Sequence, residues 1–85
     1  MYKLEISNRC EKIFSKLASK NPKQLQIIRN KIFQILEDPM HFKPLRKDMK
    51  NSRRVHIDNH FVLIYEIEGD VVKISDFDHH DYIYK

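Results

Sequence analysis

The chain has 85 residues, a net charge of +4, 41% hydrophobic and 33% charged residues, and one cysteine. This length gives a single domain with a small core, and the composition excludes a disordered chain. Cys10 alone excludes an intrachain disulfide and a cysteine-built zinc site; a cytoplasmic setting is expected, because no apolar run approaches a membrane span and no secretory h-region opens the chain.

Residues 2–6, "YKLEI", alternate in polarity and predict a short strand. Ser7 or Asn8 then offers a helix cap, with Asn8 and Glu11 spaced as a capping box. Cys10, Ile13, Phe14, Leu17 and Ala18 form one helical stripe, which places Cys10 in the core. Asn21-Pro22 supplies a stop, a cap and a first-turn proline for a second helix. Leu25, Ile28, Ile32, Ile35 and Leu36 are its apolar stripe, and Asp38-Pro39 ends it. Two helices joined this tightly make an αα-hairpin.

Residues 39–52 form a polar connection without clear periodicity. Three strands are predicted after it, at 53–57, 61–67 and 71–77. Gly69-Asp70 suits a two-residue type II′ turn. That turn pairs Glu68 with Val71, Glu66 with Lys73, Tyr65 with Ile74, Leu63 with Asp76 and Val62 with Phe77. Leu63, Tyr65, Ile67, Val72 and Ile74 then share the face toward the helices. For the preceding hairpin, a three-residue loop at Asp58-Asn59-His60 keeps Val55 and Ile57 on this core face. A two-residue loop would put Arg54 and His56 there instead, at a desolvation cost. The longer loop leaves Arg54 and His56 on the opposite, uncovered face, and the terminal "DFDHHDYIYK" arrives close to them. The predicted class is α+β, in the order β-α-α-β-β-β, with the N-terminal strand and helical hairpin packed on a mainly antiparallel sheet.

Charge is distributed unevenly. Lys43, Arg46, Lys47, Lys50, Arg53 and Arg54, against Asp48, make residues 39–54 a +5 window and leave −1 for the rest. Such a segment beside a histidine-bearing face points to phosphate binding. Histidines with arginines and lysines suit RNA cleavage by the RNA's own 2′-hydroxyl: one group removes the 2′-proton and another protonates the 5′-oxygen. Both need pKa values near neutrality, while cations stabilise the transition state. No metal or other cofactor is needed. His79 and His80 point to opposite sides if the strand continues, so they do not chelate one ion together. His41 reads as a surface residue, His60 as a loop residue, and Tyr2, Tyr65 and Tyr82 as packing residues.

The strand–helix–helix–meander order, together with "KPLRKDMKNSRRVHI", "FVLIYEIEGDVVKISDF" and "HHDYIY", resembles the RelE/ParE toxin superfamily over the full chain. Within it the likeness is greatest to the YafQ- and RelE-type mRNA interferases. The resemblance implies a type II toxin–antitoxin toxin, an endoribonuclease acting on mRNA at the ribosome. By motif it assigns catalytic histidines to His56 and His80 and the terminal aromatic to Tyr84. A further active-site histidine of the YafQ type falls on Lys43. An arginine frequent in RelE members falls on Val62, and the terminal RelE arginine on His80. Arg54 is therefore the expected transition-state cation, with Lys43, Arg46, Lys47, Lys50 and Arg53 expected on RNA. The implied partners are a cognate antitoxin, in a heterotetramer or larger complex, with mRNA and the ribosome, and no membrane. A gyrase-inhibiting ParE-type toxin and a non-catalytic nucleic-acid-binding module are the alternatives.

Overall fold

A computed structural model describes residues 2–44 and 51–84. The chain runs β1 (Lys3–Ile6), α1 (Asn8–Lys20), α2 (Pro22–Glu37), β2 (Ser52–Ile57), β3 (Phe61–Glu68), β4 (Val71–His79) and α3 (His80–Ile83). The expected order is observed, with one addition. The terminal segment does not continue as strand: it turns into the short helix α3 at His80.

Local sequence sets the helix ends. Ser7, not Asn8, caps α1, its hydroxyl accepting from the Cys10 amide at 3.2 Å. The expected Asn8–Glu11 box is thus displaced by one residue, because Asn8 is already helical. Asn21 caps α2 through its side-chain oxygen on the Gln24 amide at 3.1 Å, with Pro22 in the first turn.

The sheet order is β1-β4-β3-β2. β1 lies parallel to β4, while β4–β3 and β3–β2 are antiparallel. The loop at 58–60 is the three-residue one expected, pairing Ile57 with Phe61 and His56 with Val62. Asp58 takes φ +54, a left-handed geometry that aspartate tolerates better than most residues. Its carboxylate accepts from Gln24 Nε2 at 3.1 Å, which ties the loop to the start of α2. Gly69 has φ +60 and Asp70 does not share the positive φ, which fits II′ and excludes I′.

The register expected for β3–β4 holds from Glu68–Val71 to Tyr65–Ile74 and then fails. Ile64 faces Asp76, Leu63 faces Phe77 and Val62 faces Asp78, so Ser75 is an extra, unpaired residue. Two hydrogen bonds of 3.3 Å pin this bulge: Ser75 Oγ donates to the Ile64 carbonyl, and Ser7 Oγ donates to the Ser75 carbonyl. Packing explains the correction. The bulge brings Phe77 to the helical face, where it is buried against Phe14 and Phe61, and moves Asp76 to the other side.

The main core lies between the helical hairpin and this face. Cys10, Ile28, Ile32, Ile35, Val55, Ile57, Leu63, Tyr65, Val72, Ile74 and Phe77 form it. Each such aliphatic side chain contributes roughly 1.5–3 kcal/mol on full burial. Burial pushes the Cys10 thiol pKa up, consistent with a packing role. The opposite face is less open than its polar ends suggest: Val62 is 0% and Ile64 6% exposed, and α3 turns back against β3 and β4.

Candidate active site

Strand alternation puts Arg54 and His56 of β2 on the face away from the helical hairpin. The bulge at Ser75 shifts β4 so that Asp76 and Asp78 also point to this side, with Asp78 opposite Val62 and Val62 opposite His56. The strand then ends. The His79 side chain caps α3 through Nδ1, which accepts from the Asp81 amide at 3.2 Å. The His80 amide donates to the His60 carbonyl at 2.7 Å, anchoring the turn to the β2–β3 loop.

This arrangement delivers His80 to His56. Their rings stack with centroids 5.9 Å apart and planes at 27°. One helical turn later, Tyr84 lies against His80 with a centroid distance of 4.6 Å. The Tyr84 hydroxyl is buried and has no hydrogen-bond partner among the described residues. Three residues singled out in the sequence, from a strand, a helix start and a chain end, therefore form one cluster.

The cationic flank is built by the connection after α2. Tyr65 reaches up from the core and donates to the Pro39 carbonyl at 2.5 Å. Its burial raises its pKa to about 12, so it remains a donor at any physiological pH. Arg53 donates to the Phe42 carbonyl at 2.6 Å and to that of Met40 at 3.4 Å. The Arg54 amide donates to the Lys43 carbonyl at 3.1 Å, and Pro44 bridges to Arg53. These bonds strap residues 39–44 to the sheet and hold Lys43 beside Arg54.

A surface groove of about 430 Å³ results, lined by Lys31, His41, Phe42, Lys43, Arg54, Val55 and His56. The Arg54 Nε atom is buried without a partner among the described residues, and an unmet buried donor costs on the order of 1–3 kcal/mol. Lys31 and His41 were not expected at this site. Lys31 lies on a helix whose apolar stripe dominated the reading, and His41 follows a helix exit with no spacing signal.

Arg53, expected on RNA, points to the other side of β2 from His56, and main-chain carbonyls occupy its guanidinium. Arg46, Lys47 and Lys50 lie outside the described residues. Asp76 and Asp78 are held by the Arg9 guanidinium, with Nε and one terminal nitrogen each 2.9 Å from a carboxylate oxygen. The single Arg9 guanidinium bridges those two carboxylates on the site's margin and leaves the trio with a net charge of −1.

Residues 4–84 match the family described as ParE toxin of type II toxin-antitoxin system, parDE. A Methanosarcina mazei protein is 49% identical over 99% of this chain and 100% of its own. A Methanocaldococcus jannaschii protein named "Putative toxin RelE4" is 41% identical over 100% of this chain and 93% of its own. Among solved structures, a YoeB/ParE toxin from Agrobacterium tumefaciens superposes with a TM-score of 0.80 at 15% identity, covering 92% of this chain and 98% of that one. YafQ in the Escherichia coli DinJ–YafQ complex gives 0.77 at 19%, with both chains covered completely. The structural likenesses establish the fold, and the family match and the relatives establish kinship: the chain belongs to the ParE toxin family of type II toxin–antitoxin systems, within the RelE/ParE superfamily.

Proposed function

We propose that this toxin is a metal-independent endoribonuclease that cleaves mRNA on the ribosome. The observation that carries the reading is the pairing of His56 and His80 at 5.9 Å, with Tyr84 against His80 and a cationic groove adjoining His56. In the reaction, one imidazole takes the proton from a ribose 2′-oxygen as that oxygen bonds to the adjacent phosphorus. The other gives a proton to the departing 5′-oxygen, so proton gain and loss balance across the pair. Arg54 stabilises the charge that grows on the phosphoryl oxygens, and Lys43 holds the RNA backbone. Tyr84 orients His80 or hydrogen-bonds the substrate through its free hydroxyl. Arg53 supports the groove from behind, through the strap at residues 39–44, rather than by touching RNA. Arg46, Lys47 and Lys50 extend the phosphate-binding segment.

A cognate antitoxin is the proposed neutralising partner, in a heterotetramer or larger assembly; the toxin–antitoxin family and the neighbour solved as a DinJ–YafQ complex support such a partner. The site of action is the cytoplasm, where mRNA is translated; among the described residues no helix is long and apolar enough to cross a membrane.

The match to a ParE toxin family keeps the ParE-type alternative, read as inhibition of DNA gyrase without RNA cleavage. That activity needs no acid–base pair, and so leaves the histidine pair unexplained. Primer extension on mRNA after brief induction separates the two readings. Cuts that appear with the wild type and vanish with His80→Ala support the nuclease; intact mRNA with accumulating DNA breaks supports the gyrase reading.

A further inference from the structure

The groove beside His56 draws one of its walls from a helix. Lys31 of α2 faces Lys43 and His41 of the strapped connection and Arg54 and His56 of β2 across about 430 Å³. Among the described residues, no carboxylate lines it, and no ion pair engages Lys31, Lys43 or Arg54. Lys31 is half-buried in the helix that packs on β2, a setting in which a lysine stem lies along apolar surface while its ammonium reaches out. Arg54, a second cation without an ion-pair partner among the described residues, lines the same groove.

The groove shares His56 with the catalytic cluster but not His80 or Tyr84. An RNA strand with its scissile phosphate between the two histidines has one direction in which it meets cations from two separate elements. We infer that Lys31 of α2 is an RNA-binding residue, holding a backbone phosphate next to the scissile one in concert with Lys43. This rests on the nuclease reading for the identity of the strand. His41, exposed and braced edge-on by Phe42 with centroids 5.1 Å apart, offers its ring face to the nucleotide attached to that phosphate. The substrate is thus gripped on both sides of the strap, and the helical hairpin takes part in recognition as well as in the core.

The test uses the full chain and a short single-stranded RNA whose 2′-hydroxyls are all methylated, so that binding is read without cleavage. Its affinity is measured over a range of salt concentrations for wild type, Lys31→Ala, Lys31→Arg and the exposed control Lys12→Ala. Losing one phosphate contact lowers the slope of log K against log[salt] by about 0.7 for a single strand. Lys31→Ala is expected to show that drop and to bind roughly three- to tenfold more weakly at moderate salt. Lys31→Arg should keep the wild-type slope, and Lys12→Ala should change it less than Lys31→Ala. Equal slopes for Lys31→Ala and wild type overturn the inference, even if His80→Ala abolishes mRNA cuts in cells and the nuclease reading stands. Binding with the expected slope change but without cuts in cells upholds the groove while removing the nuclease. No binding by the wild type overturns the inference and leaves the nuclease to the primer-extension test.

Discussion

Two histidine pairs stand side by side at one end of the sheet, and they differ in what surrounds them. His56 and His80 stack at 5.9 Å on the side of Arg54 and the cationic groove. His60 and His79 stack at 6.0 Å with planes only 2° apart, next to the aromatic cluster of Phe61 and Phe77. The ring geometries are similar; the commitments are not. His79 spends its Nδ1 on capping α3 and packs edge-on against Phe61 and Tyr82. His60 gives its carbonyl to the His80 amide. Proximity of imidazoles is therefore a poor guide to chemistry in this fold. What separates the pairs is that the His79 ring caps α3, whereas His56 lines a groove where Arg54 and Lys43 stand beside it. On the proposed function, one pair serves the substrate, and the other helps build the turn that carries His80.

Breaking the first pair should have the largest effect. His80→Ala or His56→Ala is expected to lower mRNA cleavage at least tenfold, and up to the ~10²–10⁴-fold range of acid–base catalysis. Their circular dichroism spectra and melting temperatures should match the wild type; near-normal cleavage by both variants would sink the assignment. Tyr84→Phe comes next. It removes a buried hydroxyl without a partner among the described residues, so stability should hold or rise slightly, while cleavage falls by roughly tenfold if that hydroxyl serves the substrate. Unchanged cleavage would reduce Tyr84 to a packing ring.

The second pair is tested by indirect effects. His79→Ala removes the α3 cap, worth roughly 0.5–2 kcal/mol for a good cap, and should cut activity severalfold by loosening His80. His79→Asn, which caps without an imidazole, should restore most of it. If Asn fails to rescue, His79 acts through its ring and the contrast between the pairs weakens. The smallest effect belongs to His60→Ala. Its stacking is lost but its carbonyl remains, so activity within about twofold of wild type is expected, as for a surface change away from the chemistry. A loss comparable to that of His80→Ala would merge the two pairs into one site.

Much of this was legible from residue patterns. Alternation and turn chemistry gave the meander and its loop lengths, because burial strongly penalises Arg54 or His56 on the helical face. The helix stripes and the Asn21-Pro22 stop were equally direct. What parity alone misses is the far end of β4. An unbroken strand puts Phe77 and His79 on the side of His56; only the family likeness assigns His80 there. The observed register agrees with His80 because Ser75 is unpaired, a tertiary adjustment that buries Phe77. A bulge at a serine leaves little trace in composition. Lys31 and His41 were missed for another reason: their contribution depends on how α2 and the 39–44 strap approach β2, which no spacing along the chain encodes.

Ser75 acts, in effect, as a phase offset of one residue, like a spacer in a gear train. Everything downstream turns over with it. Drawing Ser75 into the ladder opposite Ile64, instead of bulging it, would restore strict alternation and leave every ionisable group intact. Yet it would present His79 to His56, turn Phe77 outward and carry Asp76 beneath the helices. On the proposed nuclease reading, the toxin could thus be disarmed without altering any of the side chains assigned to catalysis. Identity of functional groups and identity of function are separable in this chain, and a neutral hydroxyl that touches no substrate keeps them joined.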